Sequence, residues 1–466
     1  MAVQYRFSAI YFEATRTCNL RCPVCMTSSN NVEVVRRSRR EELTYDEIRD
    51  RVLIPARNLF VKAVGWSGGE FLLRKDALDL LRLTVDLGFK CNICSNCELL
   101  DRDRLIALKE ATRGDLTIAV GLNSIEDDNE WSRNAEAERT LEVLELCREL
   151  RIDRHVIITM GRYNVDSFER TVDYLVKRRI SYNRSPLVAR GSGCTYFKEQ
   201  GFTREDLEER FHPVLRRHVN GYVSYTPFFL SPELHEQVSG GQKNGTVPQN
   251  PPIGCWVGNW LAINAEGDLS VCPVLLDELS TGNVREKPLD QLVYESKMFA
   301  DLTDRSRLKG RCGRCRYQYT CGGCRAMAFY HTGDYLEEDP TCFFDPVDET
   351  TVSEYEEETN RLFKKYLIVA RHAGFYERPG KKPAAEATRE QVDVAPASAR
   401  AAEAPVDGAA GEMSSDGTGG NGGRGDFSRE RGNRGNGGRS KIVFGDEDHG
   451  HDSAERPQLA TPFSER

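Results

Sequence analysis

The chain has 466 residues and a formal net charge of −8. That length suits one large domain with additions, and the acidic balance argues against a general nucleic-acid binder, which normally presents a basic face. No apolar run approaches the roughly 18 residues that a membrane helix needs, and residues 1–10 lack the basic and apolar regions of a secretory signal. The sequence therefore predicts a cytoplasmic protein without a membrane segment.

The first half of the chain alternates strand-like and helix-like patterns. Predicted strands cover 5–13, 61–66, 89–95, 116–122, 155–160 and 181–188, and predicted helices cover 45–60, 75–87, 101–111, 135–150 and 167–178. Thr44 and Glu47 form a capping-box pattern before the first of these helices, and Pro55 is expected to kink or split it. Such alternation predicts an α/β fold, a partial six-unit (β/α) TIM-like barrel, with reactive groups on the loops that follow the strands.

The rest of the chain has a different composition. A Gly- and Pro-containing bridge precedes a small cysteine-rich domain, one closing helix and a Gly/Arg-rich, acidic tail that cannot build a core and is expected to be disordered. The predicted divisions are 1–190 for the barrel, 191–252 for the bridge, 253–346 for the cysteine-rich domain, 347–378 for the helix and 379–466 for the tail.

Fifteen cysteines are unusual for a cytoplasmic protein, where disulfides are disfavoured and clustered cysteines indicate metal or redox sites. Cys18, Cys22 and Cys25 follow the first predicted strand. Three thiolates in eight residues can hold three irons of a [4Fe–4S] cluster and leave the fourth open, and an open position marks a catalytic metal site. The alternative is a zinc site with a distant fourth ligand, although zinc more often uses paired Cys-x-x-Cys motifs.

The Cys-x-x-x-Cys-x-x-Cys motif, preceded by Thr17, resembles the signature of the radical S-adenosylmethionine (SAM) superfamily. The resemblance implies that SAM chelates the open iron through its amine and carboxylate. It also implies that reductive cleavage of SAM gives a 5′-deoxyadenosyl radical, which abstracts hydrogen from the substrate. Val24 departs from the family pattern, because the family usually has an aromatic residue there, near the adenine.

The end of the second strand resembles a SAM-binding segment of that family. Gly68, Gly69 and Glu70 resemble the GGEP loop that holds the SAM amine, with Phe71 in place of the proline. Glycines let a backbone approach a ligand closely, and a carboxylate suits an ammonium group.

The ends of the third and fourth strands match the family pattern less closely. Ser95 and Asn96 resemble the start of the family's TNG segment, with Cys97 where glycine is usual. After the fourth strand, Arg133 keeps the position of a family arginine that would face the SAM carboxylate. Asn123 would lie near the SAM ribose, and both Gly121 and Asn123 depart from the family pattern at this strand end.

The C-terminal cysteines resemble the SPASM extension of radical SAM proteins, which holds two auxiliary iron–sulfur clusters. By analogy, the inner cluster would have three ligands, namely Cys255, Cys272 and Cys324, with a fourth that is not evident. The outer cluster would have four, namely Cys312, Cys315, Cys321 and Cys342. The alternative is a pair of structural zinc sites, since paired Cys-x-x-Cys is common there.

The sequence thus favours a radical SAM/SPASM enzyme that acts on a peptide or protein. The alternatives are a tetrapyrrole or haem-biosynthesis enzyme or another small-molecule enzyme, and, in a different class, a non-catalytic zinc or electron-transfer protein. Expected partners are an external one-electron donor of flavodoxin or ferredoxin type and a separate peptide-recognition protein, because the first strand begins close to residue 1. Arg190, His212 and His218 are candidates for binding a carboxylate-rich substrate.

Overall fold

The strands form one sheet. The structure, a computed structural model, describes residues 5, 7–203, 205–217, 223–224, 257, 260–315, 318, 321–340 and 342. The strands are β1 (Ala9–Thr15), β2 (Ala63–Gly68), β3 (Lys90–Ser95), β4 (Leu116–Gly121), β5 (Asp153–Met160), β6 (Ser181–Pro186), β7 (Val223–Ser224), β8 (Trp260–Ile263) and β9 (Leu269–Ser270). Their order is β7-β6-β5-β4-β3-β2-β1-β8-β9, and all neighbours are parallel except β8 and β9.

Helices alternate with the strands along the chain. The first ten are α1 (Val32–Glu41), α2 (Tyr45–Glu47), α3 (Ile54–Ala56), α4 (Ala77–Asp86), α5 (Arg102–Ala111), α6 (Asp128–Arg133), α7 (Ala137–Glu149), α8 (Phe168–Lys177), α9 (Gly193–Gln200) and α10 (His212–Arg217). The cysteine-rich region adds α11 (Leu289–Glu295), α12 (Lys297–Thr303), α13 (Gly310–Gly313) and α14 (Arg325–Thr332).

The six predicted strands are confirmed and lie side by side in chain order, as a (β/α) barrel requires. The sheet is nevertheless larger than six strands. β7 extends the β6 edge, and β8 pairs in parallel with β1, with Ala9 opposite Trp260. The cysteine-rich region therefore contributes a strand to the same sheet as the barrel.

The two faces of β1 have different chemistry because side chains alternate along a strand. Phe12 points toward the helices, where its ring lies 5.4 Å from that of Trp66, which lies 4.9 Å from Phe71. Tyr11 and Glu13 point to the opposite, inner face, and Ser67 Oγ donates to Tyr11 Oη at 3.2 Å. Aromatic packing thus joins β1, β2 and the segment after β2 on one face, while the inner face carries polar groups.

The helical segment that begins at Tyr45 changes from α-helical to π-helical hydrogen bonding before Pro55. The capping box at Thr44 is present, and α2 runs into a π-helix over Ile48–Leu53, where Ile54 N donates to Arg49 O. Proline has no N–H, so the carbonyl four residues earlier would lack its usual donor, and a wider helical turn accommodates this. Pro55 was expected to kink or split the helix. The structure shows a change of helix type just before it.

Several predictions fall outside the described residues: most of the bridge, Cys255, His218, the closing helix within 347–378 and the tail over 379–466. Within the described part of the chain, no helix is both long enough and apolar enough to cross a bilayer.

Candidate functional site

The three-cysteine loop, residues 16–30, follows β1 at the carboxyl edge of the sheet. Cys18, Cys22 and Cys25 are free thiols, and each is partly exposed. Burial raises the pKa of Cys18 and of Cys22, and proximity to the other thiols of the loop raises both further. Leu20 N donates to Cys18 Sγ at 3.4 Å, and Cys22 Sγ lies 2.9 Å from Arg133 O. The loop therefore brings three thiols together beside the ends of neighbouring strands.

The double glycine after β2 lies directly against this loop. Gly69 N donates to Thr15 O at 2.7 Å, and Glu70 N donates to Thr17 O at 2.8 Å. A Cβ atom on Gly69 would lie 2.2 Å from Thr17 O, and one on Gly68 would lie 2.2 Å from Thr15 O. Both glycines are thus required so that the two loops can lie backbone to backbone.

Glu70 is fully buried and holds the next strand end in place. Its carboxylate accepts hydrogen bonds from Asn96 N at 2.8 Å, from Ser95 Oγ at 3.2 Å and from Leu72 N at 3.4 Å. Burial raises the pKa of Glu70 to about 7, against the lowering effect of these donors. Asn96 Nδ2 in turn lies 3.6 Å from Cys18 Sγ. Four predicted cofactor residues therefore belong to one connected cluster beside Cys18, namely Gly69, Glu70, Ser95 and Asn96.

Cys97 adopts a left-handed backbone with φ of 74° and is fully buried. A glycine would adopt this conformation without strain. The backbone at this position therefore favours the glycine that the resemblance leads one to expect, and Cys97 adopts the same left-handed conformation.

Gly121 makes room for Arg133. A Cβ atom on Gly121, the last residue of β4, would lie 2.4 Å from Arg133 Cζ. The pKa of Arg133 is raised because the neighbouring thiols of Cys22, Cys97, Cys25 and Cys18 outweigh the cost of its burial. The absent side chain at 121 thus lets a half-buried cation reach the thiols of the three-cysteine loop.

Asn123 lies after β4, as expected, but its side chain is occupied by protein partners. Its Oδ1 accepts from Thr159 N at 2.9 Å, and its Nδ2 donates to Ser132 Oγ at 3.0 Å. Asn129 Oδ1 accepts from Asn123 N at 2.9 Å. These bonds fasten helix α6, and hence Arg133, to the ends of β4 and β5.

The start of the bridge region also belongs to the site, which the sequence did not indicate. Ser192 N donates to Cys25 O at 2.8 Å, and a Cβ atom on Gly191 would lie 2.6 Å from Met26 O. The turn before α9 is therefore packed against the third cysteine. Three glycine residues in this short segment were the available signal, namely Gly191, Gly193 and Gly201.

A buried network of charges joins the barrel to the cysteine-rich region. Its members are Glu13, Arg16, Arg190, Glu266 and Asp277. Arg190 Nη1 lies 2.6 Å from Glu13 Oε1, and Arg190 Nη2 lies 2.9 Å from Asp277 Oδ2. Arg16 Nη2 lies 2.5 Å from Asp277 Oδ1, and Arg16 Nε lies 3.1 Å from Glu266 Oε1. The side chains of Glu13 and Arg190 are 0% and 1% exposed, so they compensate one another's charge.

The described cysteines of the C-terminal region lie on short elements. Cys312 lies in α13, and Cys324 immediately precedes α14, where its N–H donates to Asp339 Oδ2 at 2.7 Å. Arg325 Nη2 donates to Cys312 Sγ at 3.4 Å, and the side chain of Arg325 is buried. Gly323 N donates to the Sγ of Cys321, also at 3.4 Å.

The N–H groups that donate to the sulfurs of Cys312 and Cys321 suit anionic sulfur. Within the described ranges, no three Cys, His, Asp or Glu side chains converge on a single metal ion. A cubane cluster makes a different demand, because each cysteine binds its own iron. Three thiols on one loop, a backbone donor to Cys18 Sγ and a half-buried arginine beside them fit a cluster with one open iron.

Comparisons with known proteins identify the family. The Radical SAM superfamily model matches residues 12–175, and the iron–sulfur cluster-binding domain model, SPASM, matches residues 255–324. An AdoMet-dependent heme synthase of Methanosarcina barkeri is 27% identical over 360 residues, covering 72% of this chain and 96% of that protein. A PqqA peptide cyclase of Bradyrhizobium diazoefficiens is 29% identical over 384 residues, covering 77% of this chain and 92% of that protein.

Solved structures share the fold. Streptococcus suis SuiB bound to S-adenosylmethionine superposes with a TM-score of 0.54 at 15% identity, covering 74% of this chain and 76% of SuiB. Native anSMEcpe with bound AdoMet and Cp18Cys peptide gives 0.53 at 13% identity, covering 78% of this chain and 96% of that chain.

The TIM-like sheet with three thiols on the loop after its first strand, together with the matches to the two family models, defines an enzyme built around an iron–sulfur cluster. The chain belongs to the radical SAM superfamily and carries a SPASM iron–sulfur cluster-binding domain.

Proposed function

We propose that this enzyme cleaves SAM reductively and uses the resulting radical to abstract hydrogen from a peptide substrate. The observation that carries the first part is the three-cysteine loop, held backbone to backbone against Gly69 and Glu70 and flanked by Arg133. When bound, the cluster and SAM would supply a 5′-deoxyadenosyl radical. Cys18, Cys22 and Cys25 would hold three irons of that cluster.

The residues around the loop have separate tasks in this proposal. Gly68, Gly69 and the Glu70 carboxylate bind and orient the SAM ammonium, and a bound cation there favours the ionised form of Glu70. Arg133 faces the SAM carboxylate as a charge-assisted donor. Asn123 does not bind SAM directly, because its own polar atoms are already hydrogen-bonded to Thr159 and Ser132. It instead holds helix α6, and hence Arg133, in position.

A peptide is favoured as the substrate for two reasons. The PqqA peptide cyclase is 29% identical over 77% of this chain. In addition, both buried arginines of the charge network, Arg16 and Arg190, already have carboxylate partners within the described residues. Arg190 was a sequence candidate for binding a carboxylate-rich substrate, and its pairing with Glu13 and Asp277 argues against that role.

The test of this function uses the reconstituted protein without oxygen, with SAM and dithionite. A peptide encoded by a short reading frame beside the gene should increase 5′-deoxyadenosine formation, and mass spectrometry should show that the peptide loses two hydrogens. A carboxylate-bearing tetrapyrrole serves as the competing substrate. Turnover of the tetrapyrrole with no change in the peptide would refute the peptide assignment and favour the second candidate, which the M. barkeri relative supports.

The outer auxiliary cluster, with the proposed ligands Cys312, Cys315, Cys321 and Cys342, should have a potential set by Arg325. A buried cation that donates to a cluster sulfur stabilises the reduced state, because reduction adds negative charge. Such a bond contributes about 1.5 kcal/mol, which corresponds to about tenfold in the reduction equilibrium, or about 59 mV for one electron. Arg325→Gln should therefore lower the midpoint potential of this cluster, measured by potentiometric EPR titration.

Arg325→Lys is the matched control for that substitution, since it keeps the charge and shortens the donor. It should shift the potential less than Arg325→Gln does. Equal potentials in all three proteins would contradict a role for the Arg325–Cys312 contact.

A further inference from the structure

The solvent side of the three-cysteine loop carries a group of cations that the proposed reaction does not use. Helix α1 has four arginines within residues 36–40, and Arg21 lies inside the loop itself. All of them are exposed. We define the arginine patch as Arg21, Arg36, Arg37, Arg39 and Arg40.

The geometry of α1 gathers these side chains on one surface. At 3.6 residues per turn, the four helical arginines span an arc of about 160°, and buried Ser38 lies on the opposite side. Arg39 Nε donates to Thr17 Oγ1 at 2.9 Å, and Arg21 Nη1 donates to Asn30 O at 2.7 Å. The patch therefore adjoins the residue that precedes Cys18.

The charge of this surface contrasts with that of the whole chain. The chain has a net charge of −8, whereas residues 32–41 hold four arginines against two glutamates. Arg36, Arg37 and Arg40 form no ion pair with any residue that the structure describes. Val32, at the start of α1, is 48% exposed and adds an apolar contact beside the cations. An unneutralised basic surface on an acidic protein attracts and orients an acidic macromolecule.

We propose that the arginine patch docks an acidic one-electron carrier protein of the flavodoxin or ferredoxin type. The proposal rests on the proposed function, which needs one electron to enter at the cluster of the three-cysteine loop. The carrier loses that electron and the cluster gains it, and no bond forms or breaks in this step. Because electron tunnelling weakens steeply with distance, the carrier has to dock beside this loop, and the patch adjoins it from the solvent side.

The test compares two triple variants of the reconstituted holoenzyme. Arg36→Gln, Arg37→Gln and Arg40→Gln remove patch charges but leave Arg21 and Arg39, which are hydrogen-bonded to the loop. The control removes three exposed arginines from other helices and turns, namely Arg82→Gln, Arg113→Gln and Arg148→Gln. Both variants lose the same formal charge.

Formation of 5′-deoxyadenosine is measured with flavodoxin, kept reduced by its reductase, and separately with dithionite, over a range of salt concentrations. We expect the patch variant to lose about tenfold or more in kcat/KM for flavodoxin and to show a flatter salt dependence, while the control matches the unaltered protein. Rates with dithionite should be equal in all three proteins.

Three results would overturn the proposal: an unchanged flavodoxin rate in the patch variant, an equal loss with dithionite, or a loss confined to the KM of the peptide substrate. The last would assign the patch to an acidic peptide. Absence of 5′-deoxyadenosine from the unaltered protein with dithionite is a separate result, because it would refute the proposed function itself.

Discussion

Gly69→Ala is expected to reduce 5′-deoxyadenosine formation about a hundredfold or more. The new Cβ would lie 2.2 Å from Thr17 O, 2.6 Å from Thr17 C and 2.9 Å from Arg16 O. All three are backbone atoms, so no side chain can rotate away, and the loop that carries Cys18 has to move. A displacement of about 1 Å at reacting groups can cost about a hundredfold in rate.

Gly114→Ala is the matched control for Gly69→Ala. Gly114 has a left-handed backbone, and a Cβ atom there would meet no atom within 4 Å. The Gly114→Ala substitution should lower stability slightly through backbone strain and leave SAM cleavage unchanged. The assay also requires iron content and circular dichroism of the Gly69 variant, to show that it folds. A folded, iron-loaded Gly69→Ala protein with full activity would contradict the close packing of the two loops.

Breaking the buried pair between Glu13 and Arg190 is expected to destabilise the protein by about 3–5 kcal/mol, because it leaves an uncompensated buried charge. Glu13→Gln would leave Arg190 with Asp277 alone, and Arg190→Met would leave Glu13 without its cation. Each single variant should melt well below the unaltered protein by differential scanning calorimetry. The double variant should lose less than the two single losses added together, since it leaves neither partner charged.

Arg170→Gln provides the control for this experiment. Arg170 pairs with Glu126 on the surface, where the two side chains are 57% and 39% exposed. Exposed pairs contribute at most about 1 kcal/mol, so its melting temperature should change little. If Glu13→Gln were as well tolerated as Arg170→Gln, the charge network would not hold the barrel to the cysteine-rich region.

Local sequence signals were sufficient for the barrel but not for its edges. Each of the first five predicted strands is followed, before the next strand, by a predicted periodic helix, and both signals are local. Strand β8, Trp260–Ile263, was assigned to the cysteine-rich domain, because nothing in its four residues indicates that it pairs with β1. Its partner is some 250 residues away in the chain, and pairing at that distance depends on how the whole sheet closes.

The site was predictable where a motif is local. The cysteine loop, Gly69 and Glu70 lie on consecutive strand ends, and parallel strands bring their carboxyl ends to one edge. Gly121 was interpreted as a departure from the family pattern, whereas the structure shows that it makes room for Arg133. The charge network was missed because Arg190 and Asp277 belong to no motif. The one signal was Glu13, a charged residue at an inward position of an apolar strand.

The most direct test of the central claim is the iron and acid-labile sulfide content per chain, after reconstitution without oxygen. The unaltered protein should hold about 12 irons, and a Cys18→Ala, Cys22→Ala, Cys25→Ala variant should hold about 8, because three cubane clusters become two. The variant should also form no 5′-deoxyadenosine. Stoichiometric zinc with little sulfide in the unaltered protein would contradict the account and leave a cysteine-rich zinc protein.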